Sequence, residues 1–247
     1  MQQFRPGGFS VLPLVVKNLL IINALFYLAT LALESTGIDL YKTLSLYYPT
    51  SKQFGIWQFV TYMFMHGSFT HILFNMFALW MFGNVLENVW GPKRFLNYYL
   101  VTGIGAGITH LVIAYIRIAF SGYELTPDQF DLVYSEGFKV LQSGRNYSDP
   151  AMGLYNMIMN VPTVGASGAV FGILLAFGMM FPNSLIYIYF AFPIKAKYFV
   201  IIYGAIELFS GITNRPGDNV AHFAHLGGML FGFALIMYWK KKGKLFQ

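Results

Sequence analysis

The chain has 247 residues, of which 56% are hydrophobic and only 11% are charged. A soluble domain carries about a quarter charged residues, because its surface faces water, so this composition indicates a protein solvated largely by lipid. The absence of cysteine excludes thiol catalysis, disulfides and cysteine-ligated metals. The net charge of +6 includes a cluster of four lysines at residues 240–244, just after a long apolar run. Such a cluster anchors a last membrane span, which makes nucleic-acid binding the weaker interpretation.

Six stretches are apolar enough to be interpreted as membrane spans, each of which needs about 20 mainly apolar residues. They are 14–33, 71–90, 95–120, 167–181, 196–212 and 221–240. The fourth is short and can span only if it begins below the membrane surface. Lysine and arginine concentrate in the segments that share a side with the termini, including Arg5, Lys93 and Arg94. The positive-inside rule then places both termini in the cytoplasm. We therefore predict an all-α membrane protein, one domain over residues 1–247, with six transmembrane helices.

A long outer loop, about 121–163, is predicted between the third and fourth spans. The segment 126–129 (TPDQ) has an N-cap threonine, a proline at the first helical position and a glutamine at the third, which predicts the start of a helix. Gly144 can end this helix, and Asp149 precedes a second short apolar run. A helix lying on the protein or the bilayer surface is the favoured interpretation. A lid that contacts substrate is the alternative.

The motif Gly165-Ala166-Ser167-Gly168 places a hydroxyl among small residues at the start of the fourth span. Small neighbours allow another backbone to approach the serine, and a helix N-terminus offers free N–H groups to a developing oxyanion. Gly168 and Gly172, however, also form the small-xxx-small spacing that packs membrane helices together. On this motif alone, helix packing is the better interpretation.

His225 lies near the outer end of the sixth predicted span, at the same predicted depth as Ser167. A histidine at membrane depth is a candidate functional residue, although a single one can also be a buried hydrogen-bonding group. Gly228 and Gly232 follow at the spacing that allows close helix approach. The matching depth of serine and histidine favours catalysis.

His71 and Asn75 open the second span at the same outer end and, being four residues apart, share a helical face. A neutral imidazole and an amide donate hydrogen bonds without carrying charge. The pair could therefore stabilise an oxyanion without placing a fixed ion in lipid. Interhelical hydrogen bonding is the alternative role for these two residues.

Jointly, these motifs resemble the rhomboid family of intramembrane serine proteases, over about residues 57–232. The matching features are His66 with His71 and Asn75; Gly83, Glu87 and Gly91 at four-residue spacing; Gly165-x-Ser167-Gly168; and Ala224-His225-x-Gly227-Gly228. The resemblance implies a six-helix bundle that cleaves single-span membrane proteins within the lipid bilayer, with no cofactor and no metal. A bacterial cytoplasmic membrane is the expected location, and the oligomeric state is left open.

The resemblance also implies residue roles. Ser167 would be the nucleophile, and His225 the general base and then the general acid. The oxyanion would rest on the Ser167 backbone N–H, His71 and Asn75, with Gly165 beside the substrate. Phe171, one helical turn after Ser167, would stack on the catalytic imidazole. The expected structural residues are Glu87, Gly83, Gly91, Gly228 and Gly232.

Two sequence features bear on the mechanism. Trp57-Gln58 stands where the family usually has Trp-Arg, so the contacts of that arginine are not expected here. Asp218 is the carboxylate nearest in sequence to His225, and an unpaired carboxylate at this depth would be costly. We therefore predict a Ser–His dyad rather than a triad.

Three other functional classes compete with the protease. A transporter would use Glu87, Glu207 or Arg117 as ion sites, but no internal repeat of the kind common in transporters is present. A catalytically inactive relative would bind or chaperone membrane helices; such relatives typically lack the serine or the histidine. A zinc protease is disfavoured, because there is no His-Glu-x-x-His motif and His222 with His225 lacks a carboxylate partner in the sequence.

Overall fold

The computed structural model describes residues 10–188, 191–213 and 220–243. The helices in chain order are α1 (Leu14–Glu34), α2 (Leu40–Leu44), α3 (Gln58–Thr61), α4 (Phe69–Ala78), α5 (Asn84–Trp90), α6 (Pro92–Ala119), α7 (Pro127–Gln142), α8 (Pro150–Asn160), α9 (Ser167–Met180), α10 (Ala196–Thr213) and α11 (His222–Lys241). A 3₁₀ turn (Tyr62–Phe64) follows α3, and a π-helical turn (Leu79–Gly83) joins α4 and α5 into one rod. Arg5, Asp218 and Lys244, which entered the sequence-based expectations, lie outside the described residues.

Helices occupy all six positions where spans were predicted, which confirms the all-α membrane class. Within the described ranges, five helices are long and apolar enough to cross a membrane: α1, the α4–α5 rod, α6, α10 and α11. The sixth, α9, has 14 residues, or about 21 Å at 1.5 Å per residue. A hydrocarbon core is about 30 Å thick, so α9 by itself is too short to cross it. The number of spans and the orientation of the termini remain predictions.

A short antiparallel hairpin between α9 and α10 was not predicted. Strand β1 (Leu185–Ile188) pairs with β2 (Phe192–Lys195), with Leu185 opposite Lys195. Most residues of both strands are exposed. The hairpin lies between α9 and α10 in the chain, and its described residues are not among those of the candidate site.

The short helix α9 lies at the centre of the bundle, with 9 of its residues buried. It packs against α6 and α11, and glycines make these contacts possible. A Cβ on Gly228 would overlap the carbonyl oxygen of Gly168, and one on Gly232 would overlap the hydroxyl of Tyr98. The packing role expected for Gly168, Gly228 and Gly232 is therefore visible in the contacts. The same contacts bring the first turn of α11 beside the first turn of α9.

Replacing Gly228 by Ala is expected to lower the free energy of unfolding by about 3 kcal/mol or more, because the clashing atom belongs to the backbone and cannot rotate away. Gly204→Ala on α10 is the matched control, since a Cβ there meets only the flexible end of Met229, at 3.2 Å. The control should change stability by less than about 1 kcal/mol. Thermal unfolding in detergent measures both. Equal melting temperatures for the two variants would contradict the close α9–α11 contact.

Glu87 joins α5 to the beginning of α1, as expected of a structural residue. Its side chain is 3% exposed, and its two carboxylate oxygens accept hydrogen bonds from the N–H groups of Val15 and Val16, both at 2.8 Å. A carboxylate is favourable at a helix N-terminus because it pairs with otherwise unsatisfied donors. Gly83 packs closely against Val16 and Phe95, while Gly91 has φ +77° where α5 ends and α6 begins.

The long loop forms a helical hairpin that docks on the protein. Thr126 and Gln129 make both hydrogen bonds of the predicted capping box at the start of α7. The Phe138 ring of α7 contacts Tyr47 edge-on, at a centroid distance of 6.3 Å. The interpretation of a helix lying on the protein therefore agrees with these contacts. The hairpin has a small core of its own, formed by Val133, Met152 and Met159.

Candidate active site

Ser167 and His225 meet between the first turns of α9 and α11. Ser167 Oγ lies 2.8 Å from His225 Nε2, a hydrogen-bonding distance. The ring of Phe171 stacks on the His225 imidazole, with centroids 4.2 Å apart and planes within 6°. The sequence-based placement of these three side chains matches the geometry, while their chemical roles remain predictions.

Glu207 of α10 completes a hydrogen-bonded chain that the sequence reasoning had ruled out. Its Oε2 lies 2.8 Å from His225 Nδ1, on the opposite side of the imidazole from Ser167. The expectation that no carboxylate is placed to form a triad is therefore wrong. The cost of burial that disfavours a triad applies to an unpaired carboxylate, whereas Glu207 is paired with histidine.

His222 is the second partner of the same carboxylate oxygen. Its Nδ1 lies 2.6 Å from Glu207 Oε2, and the side chains of His222, His225 and Glu207 are only 13%, 10% and 7% exposed. The expectation that His222 and His225 lack a carboxylate partner is therefore also wrong. Two imidazoles sharing one oxygen offset much of the cost of burying Glu207.

Gly165 separates Ser167 from His71. A Cβ at Gly165 would lie 2.7 Å from His71 Nε2 and 3.5 Å from Ser167 Oγ, so the missing side chain leaves space between these two atoms. Gly165 also has φ +124°, a backbone conformation that residues with a side chain rarely adopt. Its N–H donates to the carbonyl of Tyr62 at 2.9 Å, which holds the segment before Ser167 in place.

One backbone contact favours a particular tautomer of His71. The N–H of Gly67 points at His71 Nδ1 from 3.4 Å, an arrangement that favours the neutral imidazole with its proton on Nε2, the atom that faces the space at Gly165. The ring of His66 packs edge-on against that of His71. Burial lowers the pKa of His66 to about 4, so this neighbour is uncharged at neutral pH.

Asn75 lies one turn after His71 and is buried. Its Nδ2 donates to the carbonyl oxygen of His71 at 2.9 Å. The Nδ2 group carries a second hydrogen that this bond does not use. The N–H groups of Ser167 and Gly168 belong to the first turn of α9, where a helix provides no internal acceptor.

Gln58 occupies a buried position in the loop before the site. Its Nε2 donates to the carbonyls of Thr43 and Gln53, and its Oε1 accepts from the N–H of Tyr47 at 3.2 Å. A neutral amide thus satisfies three backbone groups where the resemblance suggested an arginine. Nearby, Leu46 and Thr163 exchange two backbone hydrogen bonds, which join this loop to the segment leading to Ser167.

The ionisable residues that a transporter would need are engaged elsewhere. Glu87 binds the start of α1, Glu207 binds the two histidines, and Arg117 donates to the carbonyl of Gly211 at 3.3 Å. The contacts of Glu87 and Arg117 link helices of the bundle, and those of Glu207 belong to the site around Ser167.

Glu207 has nearly the same predicted depth in the membrane as His225. This residue lies about one helical turn inside the outer end of the fifth predicted span, and His225 lies about one turn inside that of the sixth. The depth comparison that paired Ser167 with His225 therefore applied to Glu207 as well. Glu207 was nevertheless not predicted as a partner of His225, because the two residues lie 18 positions apart along the chain.

The fold and site define a helical, multi-pass membrane protein with a serine, a histidine and a carboxylate in hydrogen-bond contact. The family model of the Rhomboid domain matches residues 53–123 and 133–242. The chain therefore belongs to the rhomboid family.

Curated proteins similar to this chain come from yeasts, a plant and bacteria. Rhomboid protein 1, mitochondrial, of Saccharomyces cerevisiae is 28% identical over 178 residues, which cover 72% of this chain and 40% of that protein. Putative rhomboid protease YdcA of Bacillus subtilis is 26% identical over 72% of this chain and 65% of its own length. Rhomboid protease GlpG of Yersinia pseudotuberculosis is 23% identical over 78% and 51%. The chain spans about half the length of the first curated relatives it matches.

Proposed function

We propose that this protein is an intramembrane serine endopeptidase that cleaves peptide bonds in or near the transmembrane segments of other proteins. The observation that carries the proposal is the chain of contacts from Ser167 Oγ through His225 to Glu207 Oε2, with both distances 2.8 Å. Two further observations support the same function. Ser167 lies at the N-terminus of the central apolar helix α9, and several relatives are named as proteases.

In the proposed mechanism, Ser167 Oγ attacks the substrate carbonyl carbon while His225 Nε2 takes its proton. His225 can accept at Nε2 because Glu207 holds the other ring proton on Nδ1. The imidazolium then protonates the leaving amine, and the acyl-enzyme remains on Ser167. Water, activated by the same imidazole, hydrolyses the acyl-enzyme and restores the serine. With Glu207 included, the proposed catalytic group is a triad and not the dyad predicted from the sequence.

The oxyanion of the tetrahedral intermediate is proposed to lie in the space beside Gly165. His71 Nε2–H faces this space, and the Ser167 N–H at the start of α9 is the second donor. Asn75, one turn after His71, is the third proposed donor. All three donors are uncharged, which avoids placing an unpaired cation at membrane depth.

Single-span membrane proteins are the proposed substrates, and the bilayer is the proposed medium. The proposal includes six spans, both termini in the cytoplasm and a bacterial cytoplasmic membrane. The distribution of Lys and Arg supports the orientation, and the similarity to proteins of two bacteria supports the location.

The purified protein in liposomes, given single-span peptides with helix-destabilising residues, tests the function. Cleavage is expected, together with covalent labelling of Ser167 by a fluorophosphonate, identified by mass spectrometry. Binding of such peptides without cleavage or labelling would contradict the protease and favour an inactive binder of membrane helices.

Replacing Asn75 by Ala is expected to lower kcat by about 10²-fold, the usual effect of losing one oxyanion donor, with little change in KM. The loss should be smaller than that of Ser167→Ala, because two donors remain. Initial cleavage rates over a range of substrate concentrations measure both parameters. A loss as large as that of the serine variant, or no loss in kcat, would show that Asn75 has a different role.

A further inference from the structure

Glu207, His222 and His225 form a compact set of metal-ligating groups. One ligand atom from each residue lies within 4.8 Å of the other two. His222 and His225 are three residues apart on α11 and therefore share a face, and this face meets α10 at Glu207. All three side chains are largely buried but retain small exposed fractions.

We propose that these three residues form an inhibitory site for a divalent transition metal, with zinc favoured. Two imidazole nitrogens and one carboxylate oxygen are typical zinc ligands, and water commonly occupies the fourth position. Calcium and magnesium prefer sites made of oxygen atoms alone. The proposal concerns the regulation of Ser167 and rests on the proposed protease function.

The geometry needs only a small adjustment to accept the metal. Both Nδ1 atoms lie 2.6–2.8 Å from Glu207 Oε2, whereas neighbouring ligands of a tetrahedral zinc ion lie about 3.3 Å apart, given bonds of 2.0–2.2 Å. Each Nδ1 atom therefore needs to move away from Glu207 Oε2 by less than about 1 Å. In the same step, each neutral imidazole moves its proton from Nδ1 to Nε2, so no net proton is gained or lost.

This change of tautomer explains the inhibition. With zinc on Nδ1, the proton of His225 lies on Nε2, the atom that faces Ser167 Oγ. His225 then donates a hydrogen bond to the serine and cannot accept its proton. The metal lies on the side of the imidazole away from Ser167, so it is not positioned to polarise the substrate carbonyl. Binding therefore turns the general base off without supplying another catalyst.

Metal binding is tested first without any need for activity. The Ser167→Ala protein, purified without metals in detergent, is titrated with Co²⁺, whose visible absorption reports tetrahedral coordination by nitrogen and oxygen. One Co²⁺ per chain, displaced by Zn²⁺ and not by Ca²⁺ or Mg²⁺, is expected. His222→Gln in the same background should weaken binding by about 100-fold or more. His110→Gln, which changes a histidine outside the cluster, is the matched control.

The regulatory role is tested by measuring peptide cleavage in liposomes with the protein that retains Ser167. Zn²⁺ should inhibit cleavage, and a chelator should restore it. In His222→Gln, about 100-fold more Zn²⁺ should be needed to produce the same fractional inhibition, measured against that variant's own metal-free rate. Absence of Co²⁺ binding, or binding unaffected by His222→Gln, overturns the site, and binding without inhibition overturns its regulatory role. Co²⁺ binding by a protein that cleaves no peptide supports the site and counts against the protease function instead.

Discussion

Replacing Ser167 by Ala is expected to abolish cleavage, with kcat falling by at least about 10⁴-fold. Ser167 Oγ is the hydroxyl at 2.8 Å from His225 Nε2, and without it the imidazole has no nucleophile to activate. The fold should persist, because Ser167 is partly exposed at the start of α9 and alanine is well accommodated in a helix. Quantitative mass spectrometry of a single-span peptide in liposomes measures the remaining rate.

Ser135→Ala is the matched control for this experiment. Its hydroxyl lies on the exposed surface of α7 and, among the residues that the structure describes, bonds within that helix, chiefly to the carbonyl of Asp131 at 2.7 Å. The control should cleave at the original rate, and both variants should keep their helical circular dichroism and melting temperature. Undiminished cleavage by Ser167→Ala would rule out the assigned nucleophile.

Replacing Glu207 by Gln is expected to lower kcat by about 10²- to 10⁴-fold and to leave KM nearly unchanged. An amide can donate to His225 Nδ1, and this hydrogen bond holds the imidazole proton on Nε2, where it blocks proton transfer from Ser167. The uncharged amide also stabilises the imidazolium less than a carboxylate does. Full kinetic curves separate kcat from KM, and the rate of fluorophosphonate labelling should fall in parallel.

Glu207→Asp distinguishes this positioning role from a purely structural one. Aspartate keeps the charge and the accepting oxygens but is one methylene shorter, so it should recover at least part of the lost rate. A structural role predicts instead that the rates of both variants follow their melting temperatures. If Glu207→Gln cleaves at the original kcat, Ser167 and His225 act as a dyad and the carboxylate is dispensable.

Local sequence signals predicted most helices of this protein. The capping box of Thr126 and Gln129 was recognisable because its residues lie within one helical turn. The long apolar runs were equally informative, because a bilayer requires a minimum helix length whatever the neighbouring helices are. The hairpin of β1 and β2 was not predicted. Its strands are short and lie between two apolar helices, so no local residue pattern distinguishes them.

The sequence alone predicted a multi-pass helical protein and placed Ser167 and His225 at the same depth in the membrane. Depth reports only position along the membrane normal, so it cannot tell which helices are neighbours. The tertiary structure decided that α10 packs beside α11 and turns Glu207 toward His222 and His225. Their contacts also stabilise the buried carboxylate of Glu207. The sequence alone does not show these partners, because they lie 15 and 18 residues away along the chain, and burial without them would be too costly.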